Sequence, residues 1–424
     1  MSTSEIAERP PANTPTPAGP QLNLWTIGTF LLANISLSTV YGAILQVTLA
    51  MQVNHMASPA ERVGQLALVS SVTSISATFA QPVCGWIADR IHVKFLGKRN
   101  LWKLVGAIMV FVFCMVMARS VSVIMLAIGW CLGTWFTNMM QVNLSAFIPE
   151  RVPEERRGIM SAVLNVARYG SSPVGVWIAS YFGTDTTKTY WTISIFCLVC
   201  TMLYVFTTKD TSQYVPKPKK TEEKTRDPLF TGKARNYWIT WFSRFFILTA
   251  YFLFNNYGLY IMQDYIHWGD GSITDASKGV ALVSTLITIG NLIFALVGGT
   301  LVDRIGHIKH FVSVAALIFV IPSVVLMFHH TQTTMIVCAL VYGVGFGIYN
   351  SVDQALVSFV LPSKETAGRD LGIINLADAG PQIYTPAIIA GLLAVFSTYA
   401  SIFGTMAVFS LISSAVIQKI RNVK

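Results

Sequence analysis

Charge is scarce in this chain. Asp, Glu, Lys and Arg make up 12% of its 424 residues while 53% are hydrophobic, against about 25% charged in soluble domains. A soluble protein of this length would have too little polar surface to cover itself. No Gly-x-x-x-x-Gly-Lys-Ser/Thr occurs, so nothing supports ATP-driven work by this chain alone. Gly343-x-Gly345-x-Gly347 lies in an apolar run with no strand before it and reads as close helix packing. No nucleophile–base pair and no metal cluster stand out, which argues against an enzyme and implies no cofactor and no metal site. There are six Cys, all within apolar runs. Cys197-x-x-Cys200 has no companion His and reads as ordinary packing. Residues 1–20 are rich in Pro, Ser and Thr and lack the apolar run and cleavage site of a signal peptide, so a disordered tail is expected.

Twelve long apolar stretches are present, approximately 24–51, 63–89, 101–118, 121–148, 157–183, 188–207, 237–266, 278–302, 310–328, 332–361, 370–396 and 398–417. Each can cross a hydrocarbon core that needs roughly 20 residues. They are continuous and not alternating, so helices are expected and not a barrel. The second six repeat the first six. Gly85-Trp-Ile-Ala-Asp89-Arg90 is echoed 214 residues later by Gly299-Thr-Leu-Val-Asp303-Arg304, and Met140-Gln141 by Asp353-Gln354 at 213. Two matching six-helix bundles, 21–207 and 237–424 joined by a solvated linker at 208–236, describe an all-α membrane protein built like a secondary carrier.

The net charge of +10 does not point to nucleic acid. With the N-terminus in the cytoplasm, inner tails and loops hold 24 of the 30 Lys and Arg, and the outer loops hold only Arg62, Arg119, Lys188 and Lys278. This positive-inside bias puts both termini in the cytoplasm of a multi-pass protein of the cell inner membrane. Arg168 and Arg244 are left over, inside helices.

Asp89-Arg90 and Asp303-Arg304 sit where the second and eighth helices leave the membrane. A carboxylate there can approach the positively polarised start of a neighbouring helix, and the Arg can pair with loop acids, so all four are candidate gate residues. On this duplicated Gly-x-x-x-Asp-Arg pattern the chain resembles the major facilitator superfamily over residues 24–417. The resemblance implies a cavity lined mainly by helices 1, 4, 7 and 10, alternating access, and Asp89 and Asp303 latching against the starts of helices 11 and 5. The long loop from Asp89 to Gly97-Lys98-Arg99, and Asp353 to Pro362 followed by Gly368-Arg-Asp-Leu-Gly372, look like the glycoside–pentoside–hexuronide and sucrose-transporter branch. Two departures follow. No carboxylate occurs between Val63 and Ala88, which argues against a melibiose-type sodium site, and helix 4 lacks the acid that the sucrose branch implies.

Polar groups at membrane depth cost a few kcal/mol each and normally face a cavity or a partner. Arg168 lies 11 residues into the fifth span, about 16 Å at 1.5 Å per residue. Ser161, Asn165, Arg168 and Ser172 share one face, and the repeat maps it onto Asn375, Asp378 and Gln382. Asp353 shares a face with Tyr342, Phe346 and Tyr349, and Arg244 with Tyr251 and Asn255. Hydroxyl-rich ligands suit amides, carboxylates and Arg beside aromatic platforms. The candidate substrate-binding set is therefore Arg168, Asn165, Gln141, Asn138, Tyr41, Arg244, Tyr251, Asn255, Asn256 and Gln382. No His falls mid-membrane, so a His relay is excluded. Asp378 is the first candidate for proton coupling and Asp353 the second, while Asp264 reads as a rim charge. The expectation is a proton-coupled symporter of a sugar or glycoside, acting as a monomer in the lipid bilayer with no nucleic-acid partner. The alternative is proton-driven efflux of amphipathic drugs or metabolites, which the many Phe, Met and Trp also suit.

Overall fold

The computed structural model describes residues 23–91, 96–208, 234–305, 308–361 and 367–420. These residues are helical with no strand among them. Twelve rods follow one another: α1 Leu24–Met56, α2 Arg62–Arg90, α3 Gly97–Ala118, α4 Val123–Ser145, α5 Glu154–Phe182, α6 Thr186–Thr207, α7 Arg235–Asn255, α8 Ile273–Ile305, α9 Ile308–Phe328, α10 Gln332–Val360, α11 Ala367–Phe396 and α12 Ala400–Ile417. Polar side chains start several of them. Asn23, Ser122, Asp185 and Thr331 each accept a hydrogen bond from a backbone N–H of the first turn, satisfying donors that a helix start leaves orphaned.

Ten of these rods are long and apolar enough to cross a bilayer, and α7 makes an eleventh with the segment that continues it. The twelfth is α5, which has the length, at 29 residues, but carries the polar row of Ser161, Asn165, Arg168 and Ser172. Large apolar side chains such as Phe79, Ile124, Leu296 and Phe328 lie more than half exposed on the outside, a coat that only hydrocarbon covers favourably.

The expected spans hold, with three differences. The first span runs on to Met56 through a π-helical turn, Ile44–Thr48. The fourth stops at Ser145 and is followed by a one-turn helix, Phe147–Arg151. The seventh is broken: after Asn255 the chain bends by 51° into Gly258–Tyr265, whose end is a second π turn, Ile261–Tyr265.

Pairing between helices repeats on adding six. In the first half α1 packs on α5 and α6, α2 on α4, and α3 on α4 and α6. In the second, α7 packs on α11 and α12, α8 on α10, and α9 on α10 and α12. The halves meet along α2 with α11 and along α8 with α5, which is the same contact made twice. The Gly343-x-Gly345-x-Gly347 run is a packing device here. A methyl group on Gly343 would strike the backbone of Ile287, and one on Gly347 the backbone of Asn291, so α8 and α10 approach at backbone distance.

Candidate functional site

Arg244 stands at the centre of α7, 7% exposed, and both of its neighbours in space are acids. Its Nε and Nη2 donate to the two carboxylate oxygens of Asp378 on α11 at 2.8 and 2.7 Å. Its Nη1 lies 2.7 Å from Asp353 Oδ2 on α10. The Tyr349 hydroxyl donates to the other Asp353 oxygen at 2.8 Å. One cation is thus shared by two carboxylates, leaving one negative charge in excess. Burying charges costs several kcal/mol per ion unless each is paired, so the excess must be offset by a proton or by a polar ligand. Asp353 is 6% exposed, whereas the Asp378 side chain keeps 36% exposure. Asp378 is the member of the trio that solvent and ligand reach.

The trio forms part of the wall of a cavity of about 1000 Å³ between the halves. Ser74, Thr78 and Gln81 of α2, Gln141 of α4, Asn350 of α10 and Asn375 and Gln382 of α11 supply hydroxyls and amides to its wall. Tyr169, Tyr251, Phe346 and Tyr349 supply rings. Tyr251 stacks on Phe346 with centroids 4.1 Å apart, and Tyr169 meets Phe346 edge-on at 6.4 Å. The Tyr342 hydroxyl donates to the Tyr251 carbonyl at 3.0 Å, which fixes this platform. Behind the same three rings lies a second chamber of about 60 Å³, lined by Gln46, Ser172, Asn255, Ser284, Thr288 and Asn291.

The candidate residues divide. Gln141, Arg244, Tyr251, Gln382, Asp353 and Asp378 line the large cavity, and Asn255 the small one. Five others are not among the residues lining either. Arg168 donates to Asn34 Oδ1 at 3.1 Å and to Ser145 Oγ at 3.0 Å, and makes no ion pair among the described residues. Asn165 is exposed on the same helix. Asn138 is buried and donates to the carbonyl one turn back, Thr134 O, at 2.8 Å. The Tyr41 hydroxyl donates to Thr137 Oγ1 at 2.8 Å, and Asn256 sits half-buried at the break after α7.

Of the gate residues, Arg90 lays its guanidinium over the Trp86 ring at 4.1 Å and Arg304 is exposed. The side chains of Asp89 and Asp303 lie outside the described residues. Sequence reasoning passed over Thr78, Gln81, Tyr169 and Asn350. Two of them carried a signal: Asn350 is one turn before Asp353, and Tyr169 adjoins Arg168.

The fold has counterparts in known proteins. The family model described as the Major Facilitator Superfamily matches residues 26–277 and again 240–421. Among solved structures, the nucleoside transporter NupG is similar at a TM-score of 0.71 and 13% identity, over 93% of this chain and 99% of that one. A bacterial homolog of the human lysosomal transporter Spinster, in an inward-facing and occupied conformation, is similar at 0.67 and 12%, over 93% and 95%. No curated protein sequence matches the chain. At such identities the structural neighbours speak for the fold, and the family match spans both halves of the sequence. The chain belongs to the major facilitator superfamily and is a membrane transporter that works by alternating access.

Proposed function

We propose that the protein is a symporter moving a sugar or glycoside together with a proton across a cell inner membrane, with both termini in the cytoplasm. The observation that carries this reading is Arg244 shared between Asp353 and Asp378 in the wall of a cavity lined by amides, hydroxyls and aromatic rings. Sugar hydroxyls pair with Gln81, Gln141, Asn350, Asn375 and Gln382, and the C–H face of a pyranose or furanose ring packs against the aromatic wall, where Tyr169 is the exposed ring beside the stacked Tyr251 and Phe346. A proton on Asp378 cancels the excess charge of the trio. The cavity then closes around cargo without enclosing a net charge, and release of the proton on the other side weakens the loaded state. Asp378 is both the more exposed acid and a bidentate partner of Arg244, so protonation there and loosening of Arg244 are one event.

Supporting this reading, the amides and aliphatic hydroxyls of the lining come from four helices and both halves, so rocking the halves apart would dismantle the cargo's hydrogen bonds together. The gate roles of Asp89, Arg90, Asp303 and Arg304 and a contribution of Arg168 to binding remain part of the proposal. The apolar share of the lining favours a second reading, proton-driven efflux of amphipathic compounds.

A thermal-shift screen of purified protein against sugars, glycosides and lipophilic cations separates the two. Nucleosides belong in the panel, since a nucleoside is a ribosyl glycoside and one structural neighbour is named for that cargo. Hits then go to uptake into proteoliposomes with and without an imposed pH gradient. Gradient-driven accumulation of a sugar or glycoside, with indifference to lipophilic cations, is the expected result. Binding of lipophilic cations alone sinks the sugar reading, and uptake indifferent to the gradient sinks the coupling.

A further inference from the structure

At the face away from the termini, four segments meet around one ion pair. Arg62 opens α2 in the first half. Its Nη2 lies 2.7 and 2.6 Å from the two oxygens of Asp264 in the second half, and its Nη1 donates to Asn54 Oδ1 at 2.6 Å and Gln263 Oε1 at 3.2 Å. The guanidinium carbon stands 4.9 Å from the centre of the Tyr260 ring. From the start of α12 the Tyr399 hydroxyl donates to Asp264 Oδ2 at 2.7 Å. The Arg62 and Asp264 side chains are 15% and 25% exposed, so the pair is only partly screened by water.

A second tie lies deeper. Gln46 of α1 donates to Ser172 Oγ at 3.1 Å and accepts from Ser284 Oγ of α8 at 2.5 Å. Between the ties, the hydroxyls of Tyr257 and Tyr260 donate to the carbonyls of Val63 and Ala50, both at 3.0 Å. Gln46 lies on the π turn of α1, and Gln263 and Asp264 lie on the π turn that ends the segment continuing α7, Gly258–Tyr265. A π turn inserts one residue and re-aims the side chains that follow. Among the described residues each half therefore carries one such turn, and each turn bears side chains that tie it to the other half.

We propose that Arg62, Asp264 and Tyr399 are the latch of the face opposite the termini. Their bonds hold the cavity open only towards the terminal face, and they break in each cycle when the carrier opens the other way. Asp264 is then no rim charge but a residue that sets the balance between the two states. A carrier of any cargo needs that balance, so the latch rests on alternating access and stands even if the sugar reading fails.

The test uses full-length protein in lipid nanodiscs, where both faces are reachable, and a membrane-impermeant maleimide. Thr288→Cys reports on the small chamber behind the latch, and Leu376→Cys on the cavity side. Asp264→Asn is expected to raise labelling at Thr288→Cys about tenfold and to lower it at Leu376→Cys, since one ion pair shifts a two-state balance by about that factor. The swap Arg62→Asp with Asp264→Arg is expected to return both rates towards the parent values. Tyr399→Phe removes one hydrogen bond, leaves the ring in place and is expected to give the same opposed changes at about two- to threefold; it decides the matter should Asp264→Asn fail to fold. Unchanged rates overturn the latch. So do two rates that rise together, which would mean a loosened bundle, or a swap that restores neither.

Discussion

In the first half, Arg168 of α5 donates to Asn34 of α1 at 3.1 Å; in the second, Arg244 of α7 donates to Asp378 of α11 at 2.8 Å. The two pairs share a sequence separation of 134 residues and join equivalent helices. Duplication has kept the crossing and changed the charges. The first half holds a cation against a neutral acceptor, with Ser145 as its second partner. The second holds a cation between two acids, at the edge of the large cavity. Pseudo-symmetric scaffolds place their working groups by position, while the chemistry at each position is free to diverge. The half with unbalanced charge is the one to which we assign the proposed coupling.

The comparison is broken most severely at Arg244. Arg244→Ala leaves two carboxylates without their cation, and we expect transport to vanish with a loss of roughly 3–5 kcal/mol of stability. Uptake and thermal unfolding of the purified variant check both effects; wild-type uptake would remove the trio from the mechanism. Arg168→Ala tests the opposite half and is expected to cost uptake only about tenfold, the worth of one hydrogen bond to a charged group at the low end of its range. Equal losses at Arg168 and Arg244 would show that the halves contribute alike. Asn34→Asp sharpens the contrast by giving Arg168 the carboxylate that its counterpart has. Asn34 is 1% exposed, so the new carboxylate is buried against Arg168, where desolvation largely offsets the Coulombic gain; unfolding should shift little and gradient-driven uptake should persist. A large fall in uptake would mean that the free charge on Arg168 is needed by the cargo.

Most of the fold was legible because a bilayer imposes a simple rule on sequence. Runs of about 20 apolar residues are hard to mistake, and Gly85 to Arg90 against Gly299 to Arg304 makes the duplication visible in the sequence. The π turns at 44–48 and 261–265 were not legible, since neither contains the Pro or Gly that usually marks a distortion. The site was legible one helix at a time. Periodicity put Asp353 with Tyr349 on one face, and the structure joins them by a hydrogen bond. It could not say which faces of α7, α10 and α11 meet, so the pairing of Arg244 with both acids was not legible. The repeat aligns the face that bears Arg168 with the face that bears Asp378, yet each of the two residues bonds within its own half. Asp264 carried no local signal at all, because its partner Arg62 lies 202 residues away.

Accumulation of an identified cargo by proteoliposomes carrying Asp378→Asn, beside its equilibrium exchange, tests the coupling role of the trio most directly. The asparagine keeps the shape and a hydrogen-bond acceptor for Arg244 but cannot exchange a proton. Wild-type protein should concentrate cargo when a pH gradient is imposed, whereas the variant should exchange labelled for unlabelled cargo and concentrate none. Gradient-driven accumulation by the variant at the wild-type level would contradict the assignment.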